Sequence, residues 1–267
     1  MLLKFILLTT LISYLISSFG FWFYLLTKNR LGSRIGYSFF GIGFLLELIY
    51  VGISDYKVKS FALASSENLP LLISIIIGGI FYGLSLKYKE QLKDFGSVFA
   101  PINVFLTALV LPNVEKLPNA NKDLWFLLHV IFSTISFGFI LAAAIIAIIY
   151  ILTDRDLKNK KLDSFFVSKF SSSLVLLEKI GFKLNVLAFI FLSLALIASS
   201  VWSSTYLGKH WLWDYKQVAL LVLWLYYGFL VHYRLIKGKR GKEVAYLTVL
   251  GGFLATVVFW ILKHPSY

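Results

Sequence analysis

Eight apolar runs divide this chain of 267 residues, at about 5–27, 36–53, 69–86, 95–112, 124–151, 182–202, 217–236 and 243–262. A helix rises about 1.5 Å per residue, so about 20 apolar residues cross the hydrocarbon core of a bilayer. Inside that core the backbone has to satisfy its own N–H and C=O groups, which runs of this length do as helices. The sequence therefore predicts an all-α fold, a polytopic membrane helix bundle of about eight transmembrane helices. With 59% hydrophobic and 15% charged residues the chain is excluded from ordinary soluble domains. The first run reads as a span and not as a cleaved signal, since it is too long and no small-residue cleavage site follows. No Pro/Gly/Ser-rich linker and no internal repeat is evident, so residues 1–267 are expected to form a single integral-membrane domain.

The basic residues orient the spans. Alternate loops hold eighteen lysines and arginines, from Lys28, Arg30 and Arg34 to Arg234, Lys237, Lys239, Arg240 and Lys242, against eight on the other side. By the positive-inside rule both termini face outward, away from the cytoplasm, in a cell (inner, cytoplasmic) membrane. The formal charge of +13 then sits mostly in short loops beside anionic lipid of the bilayer and calls for no nucleic acid. The longest inner loop, about 152–181, carries Leu162, Phe166, Phe170 and Leu174 at helical spacing, and part of it is expected to lie along the membrane surface. The absence of cysteine excludes thiol–disulfide exchange and thiolate metal ligation.

One extracytoplasmic loop, about 203–217, stands out: Gly208-Lys209-His210-Trp211-Leu212-Trp213-Asp214-Tyr215-Lys216-Gln217. Asp214 and Gln217 are three apart before an apolar run, the N-cap and N3 positions of a capping box that would pin the loop to the next helix. Trp211 and Trp213 precede the cap, where two indoles can lie flat as an apolar platform with N–H donors at the edge. An interfacial aromatic belt also accounts for single tryptophans, whereas a Trp-x-Trp-Asp cluster between lysines points further, to a ligand platform.

This stretch resembles the tryptophan-rich WWD signature of the cytochrome c assembly family (CcsA/ResC/HemX-like membrane proteins), typically Trp-x-Trp-Asp-Pro-Lys-Glu. Trp211, Trp213, Asp214 and Lys216 match; Tyr215 stands in place of Pro and Gln217 in place of Glu, both compatible with the cap. The similarity continues through Trp224-Leu225-Tyr226-Tyr227, His232-Tyr233-Arg234-Leu235 and Gly238-Lys239-Arg240-Gly241-Lys242 to His264-Pro265-Ser266-Tyr267, with a looser match around His129. It covers roughly the C-terminal half.

The resemblance implies a haem-handling role. His129 and His264 correspond to the family's external axial ligands of haem iron, over Trp211 and Trp213, with Lys209 and Lys216 placed to meet the propionates; interfacial histidines that reach water are the simpler reading of each alone. His232, about 22 Å below Gln217 along a helix, resembles the family's ligand for an inner haem site; a polar residue opening an interfacial helix end is the alternative. Taking His129 and His264 for the outer site leaves no second inner ligand in this chain. The implied cofactor is haem b, and the implied partners are a ResB/CcsB-like membrane subunit and apocytochrome c, whose haem would be carried outward and presented for covalent attachment. No side chain has the setting of a general acid or base, so the chain would bind and orient as a component of a cytochrome c haem lyase. Two other readings stand beside this one: a HemX-like regulator of haem biosynthesis, and an ion-coupled transporter that uses Glu47, the carboxylate inside the second span.

Overall fold

The computed structural model describes residues 1–59, 61, 65, 68–114, 123–170, 172–238 and 241–261. Among them the chain is helical throughout, with α1 (Leu2–Thr27), α2 (Arg30–Val58), α3 (Leu69–Tyr88), α4 (Gly96–Val110), α5 (Leu124–Lys158), α6 (Phe165–Lys169), α7 (Leu174–Leu207), α8 (Tyr215–Lys237) and α9 (Lys242–Ile261), and short 3-10 turns at Lys89–Phe95 and Leu111–Asn113. Eight stretches are long and apolar enough to span a membrane, as the hydropathy predicts. The helices group into two compact units: residues 1–121 with 167–172, and residues 122–166 with 173–265.

Lipid tails are as apolar as leucine, so helices associate in a bilayer through close packing and not through a hydrophobic drive. In the first unit glycine supplies the close approach. A Cβ at Gly20 would lie 2.7 Å from the backbone nitrogen of Gly36, and one at Gly32 would lie 2.7 Å from that of Tyr24. Ser17 Oγ uses this proximity to donate to the Gly36 carbonyl at 2.8 Å. The α1–α2 turn is correspondingly short: Lys28 takes the left-handed conformation and the Asn29 side chain accepts from Leu31 N–H at 2.9 Å. Phe21, Phe40, Phe81 and Phe99 fill the interior, with Phe21 edge-on to Phe81 at 5.6 Å between centroids.

At the turn end of α1 the fully buried Asp94 pairs with Lys28 at 2.6 Å. Lys28 also donates to the Lys169 carbonyl, and Lys169 donates to the Leu26 carbonyl at 2.8 Å. Phe170 is buried with its ring 5.5 Å from Phe95. Phe170, one of the four residues whose spacing led part of the 152–181 stretch to be expected along the membrane surface, is thus packed against protein. The stretch divides into the end of α5, the short α6 and the start of α7.

In the second unit α5 and α7 pack along alanine faces, Ala142, Ala143 and Ala147 on one and Ala188, Ala195 and Ala198 on the other, all buried. Ser136 Oγ donates across to the Ala188 carbonyl at 2.8 Å. α9 closes on α5 where a Cβ on Gly252 would come within 2.6 Å of Ala144, and Phe259 stacks on Phe137 at 4.3 Å. α8 is tied by polar contacts at its edges: Trp224 Nε1 donates to Ser193 Oγ of α7 at 2.8 Å, and Tyr226 OH to the Leu247 carbonyl of α9 at 2.6 Å. At the far end from the tryptophan loop Arg234 pairs with Glu178 at 2.9 Å and lies 3.8 Å over the Phe182 ring.

Candidate haem-binding face of the second unit

The tryptophan loop is shorter than the predicted 203–217, because α7 continues to Leu207 and stops at Gly208 in the left-handed conformation. Residues 208–214 then connect α7 to α8. Asp214 caps α8 as expected, its carboxylate accepting from Gln217 N–H at 2.8 Å. The other arm of the capping box differs: Gln217 Oε1 accepts from Leu212 N–H at 2.8 Å, and so braces the loop between the two indoles. The start of the loop is held on α7, where Ser203 Oγ donates to the Lys209 carbonyl at 2.7 Å and the exposed His210 ring lies on Ser204 at 3.2 Å.

The two indoles do not lie flat. Their rings meet edge to face, 5.7 Å apart at 82°, which corrects the expectation of one continuous platform. The backbone explains it: Trp213 has φ +56°, a left-handed conformation that a bulky residue adopts only under constraint from its surroundings. Trp213 is 74% exposed, whereas Trp211 is half-buried and its Nε1 is sequestered with no hydrogen-bond partner. A buried indole N–H normally has an acceptor, and the described residues offer none to this one. Lys209 is exposed, and the Lys216 ammonium lies 5.9 Å over the Tyr215 ring.

His129 sits on α5, whose N-cap is Asp123. One Asp123 oxygen accepts from Phe126 N–H and the other from Tyr206 OH, both at 2.8 Å. Six residues at 1.5 Å put His129 roughly 9 Å along the helix from that cap. Its Nδ1 lies 3.0 Å from the carbonyl of Ala195 on α7. A carbonyl only accepts, so Nδ1 carries the proton and a neutral ring keeps its lone pair on Nε2. From Ala195 to the loop anchor Ser203 is roughly 12 Å along α7, so His129 lies deeper than the loop and not level with it. An aromatic ladder not expected from the sequence runs beside the loop anchor: Phe126 lies 6.0 Å from Trp202, which stacks on Tyr206 at 5.7 Å. Its signal was present in Trp202 and Tyr206, four apart on one helix face.

His232 is exposed on α8, and its Nδ1–H donates to the Gly228 carbonyl at 2.7 Å. Phe189 stands edge-on to it at 6.4 Å and also stacks on Trp224 at 5.6 Å. His264, named with His129 as an outer ligand, lies outside the described residues, as do Pro265, Ser266 and Tyr267. The structure thus joins Trp211, Trp213 and Asp214 in one loop braced by Gln217 of α8, holds His129 of α5 against Ala195 of α7, the helix that anchors the start of that loop, and sets His232 apart with its own aromatic neighbours. The Trp211–Trp213 loop, the lysines beside it and the imidazole of His129 below it offer aromatic faces, cations and a ring nitrogen, the groups that a flat, apolar ligand with a metal centre and anionic edges would use.

Comparison with known proteins follows the same direction. The sequence model of the family described as "Cytochrome C assembly protein" matches residues 66–264. A protein of Guillardia theta named "Cytochrome c biogenesis protein CcsA" is 27% identical over 94% of this chain and 89% of its own length. Proteins of the same name from Heterosigma akashiwo (24% identical, 79% and 76% covered) and Porphyra purpurea (28% identical, 71% and 71% covered) are similar too. Among solved structures, "Cytochrome c Heme Lyase CcmF" shares the fold with a TM-score of 0.67 at 13% identity, over 96% of this chain. The chain spans 46% of the length of that haem lyase.

Proposed function

Because the chain belongs to the cytochrome c assembly protein family, we propose that it is the haem-binding membrane component of cytochrome c maturation, carrying haem to the extracytoplasmic face and presenting it for covalent attachment to apocytochrome c. The observation that carries this reading is His129: its Nδ1 is fixed on the Ala195 carbonyl, which orients a neutral imidazole with Nε2 as the donor for haem iron. Trp211 and Trp213 would border the macrocycle, with the Trp211 N–H and the lysines Lys209 and Lys216 toward its carboxylates. Asp214 holds the loop in place and His264 supplies the second axial ligand. His232, beside Phe189 and Trp224, serves an inner haem site whose second ligand comes from a ResB/CcsB-like subunit.

The cargo is haem b, which supplies the iron and the reactive vinyl groups; the chain's residues bind and orient it, with no proton transfer of their own. Both termini and the tryptophan loop lie outside the cytoplasmic membrane. The test is the absorption spectrum of the purified protein, oxidised and reduced. A low-spin bis-histidine spectrum is expected in the wild type, lost in His129→Ala and retained when His210 is replaced by Ala. An unchanged spectrum in His129→Ala removes the outer-ligand assignment, and a protein without haem even when made with excess haem and a partner favours the regulatory role.

A further inference from the structure

The four long helices of the first unit bring a second set of polar side chains together, apart from any residue discussed for haem. Glu47 of α2 is fully buried, and its Oε2 accepts from Tyr14 OH of α1 at 2.7 Å. Ser74 of α3 and Asn103 of α4 border this pair. Asn103 Nδ2 donates to the Ser74 carbonyl at 3.4 Å, which directs its Oδ1 elsewhere. Glu47 Oε1, Asn103 Oδ1 and, one turn further along α4, Thr107 Oγ1 are buried with no hydrogen-bond partner, and the buried Ser74 hydroxyl lies beside the carboxylate as a donor to it. Two glycines let these side chains pack in closely: a Cβ at Gly43 would meet the Tyr14 ring at 2.9 Å, and one at Gly78 would meet Asn103 Nδ2 at 3.1 Å.

Buried polar atoms in native folds are almost always paired, and in hydrocarbon no bulk water compensates. Ser74 and Thr107 bring hydroxyl donors of their own, but the described residues place no lysine or arginine against the Glu47 carboxylate. An ionised carboxylate there has no formal positive charge among them to balance it. Hard cations take oxygen ligands, and a divalent ion asks for six to eight of them with several carboxylates; one carboxylate among neutral oxygens balances a single positive charge. We propose that Tyr14, Glu47, Ser74 and Asn103 form a binding site for one monovalent cation, a proton or Na⁺, held between α1, α2, α3 and α4.

Infrared spectroscopy and thermal melting of the detergent-purified full chain test this, with choline chloride as the reference salt. In choline chloride a protonated-carboxyl C=O band is expected and Glu47→Gln removes it. If replacing choline by Na⁺ leaves the band and the melting midpoint in place, the bound cation is a proton. If Na⁺ converts the band to carboxylate, releases a proton and raises the midpoint, the site takes Na⁺. Absence of the band in choline chloride, with a midpoint indifferent to Na⁺, overturns the proposal. Glutamate labelled with ¹³C at its side-chain carboxyl reads the same band in the unmutated chain, so the outcome stands even where Glu47→Gln fails to fold.

Discussion

Trp213 holds an exposed indole on a left-handed backbone, edge-on to Trp211. The Trp-x-Trp-Asp spacing named the loop, since two indoles beside an N-cap are conspicuous between apolar runs. The angle between the rings was not legible, because it depends on the left-handed turn at Trp213 and on the Gln217 brace to Leu212. Glycine enters the left-handed region at no steric cost, so Trp213→Gly separates the ring from the backbone. The variant is expected to keep its melting midpoint and lose most of its haem content. Unchanged haem content would remove the exposed indole from the haem site and leave Trp211 as the tryptophan that matters. For His129, depth along the helix was legible only coarsely; the carbonyl that sets its tautomer comes from α7, 66 residues on, which no local pattern encodes.

At the scale of elements, the hydropathy located all eight spans, and the ends that differ have local causes. α7 runs past its predicted end to Leu207 because Gly208 provides the stop, and it begins at Leu174 under the Ser173 cap. The α1–α2 contact was legible in Gly32-x-x-x-Gly36, a small-residue spacing that favours close helix approach, although hydropathy counting passes over it. The Asp214 cap was read correctly and yields a test that separates fold from charge. Asp214→Ala removes the acceptor for Gln217 N–H and is expected to cost about 1 kcal/mol at the start of α8. Amide exchange at residues 215–218 should then quicken about fivefold. Asp214→Asn keeps a good N-cap, so exchange should stay slow; haem loss in Asn as well as Ala would show that the carboxylate charge itself is used.

For the whole molecule, composition and loop charge make a statement that the helices alone leave open, namely which way the chain faces. By the sequence, eighteen of the twenty-six basic residues fall in alternate loops, and at about 1 kcal/mol per basic residue near an anionic leaflet that bias predicts those loops on the cytoplasmic side. The division into two compact units was not legible, since no linker composition marks it and the segment 167–172 rejoins the first unit through Phe170 and Lys169. Orientation, in contrast, is open to direct measurement, because the chain has no cysteine and any introduced thiol is read without background. Lys209→Cys, in the loop between α7 and α8, should react with a membrane-impermeant maleimide in intact cells. Lys161→Cys, between α5 and α7 at the other end of the second unit, should react only after permeabilisation. Delivery of haem outward needs this arrangement, with the His232 end facing the cytoplasm and the tryptophan loop facing the apocytochrome. The reverse labelling pattern would place Trp211 and Trp213 on the side where haem is made and turn the loop from a site of presentation into a site of capture.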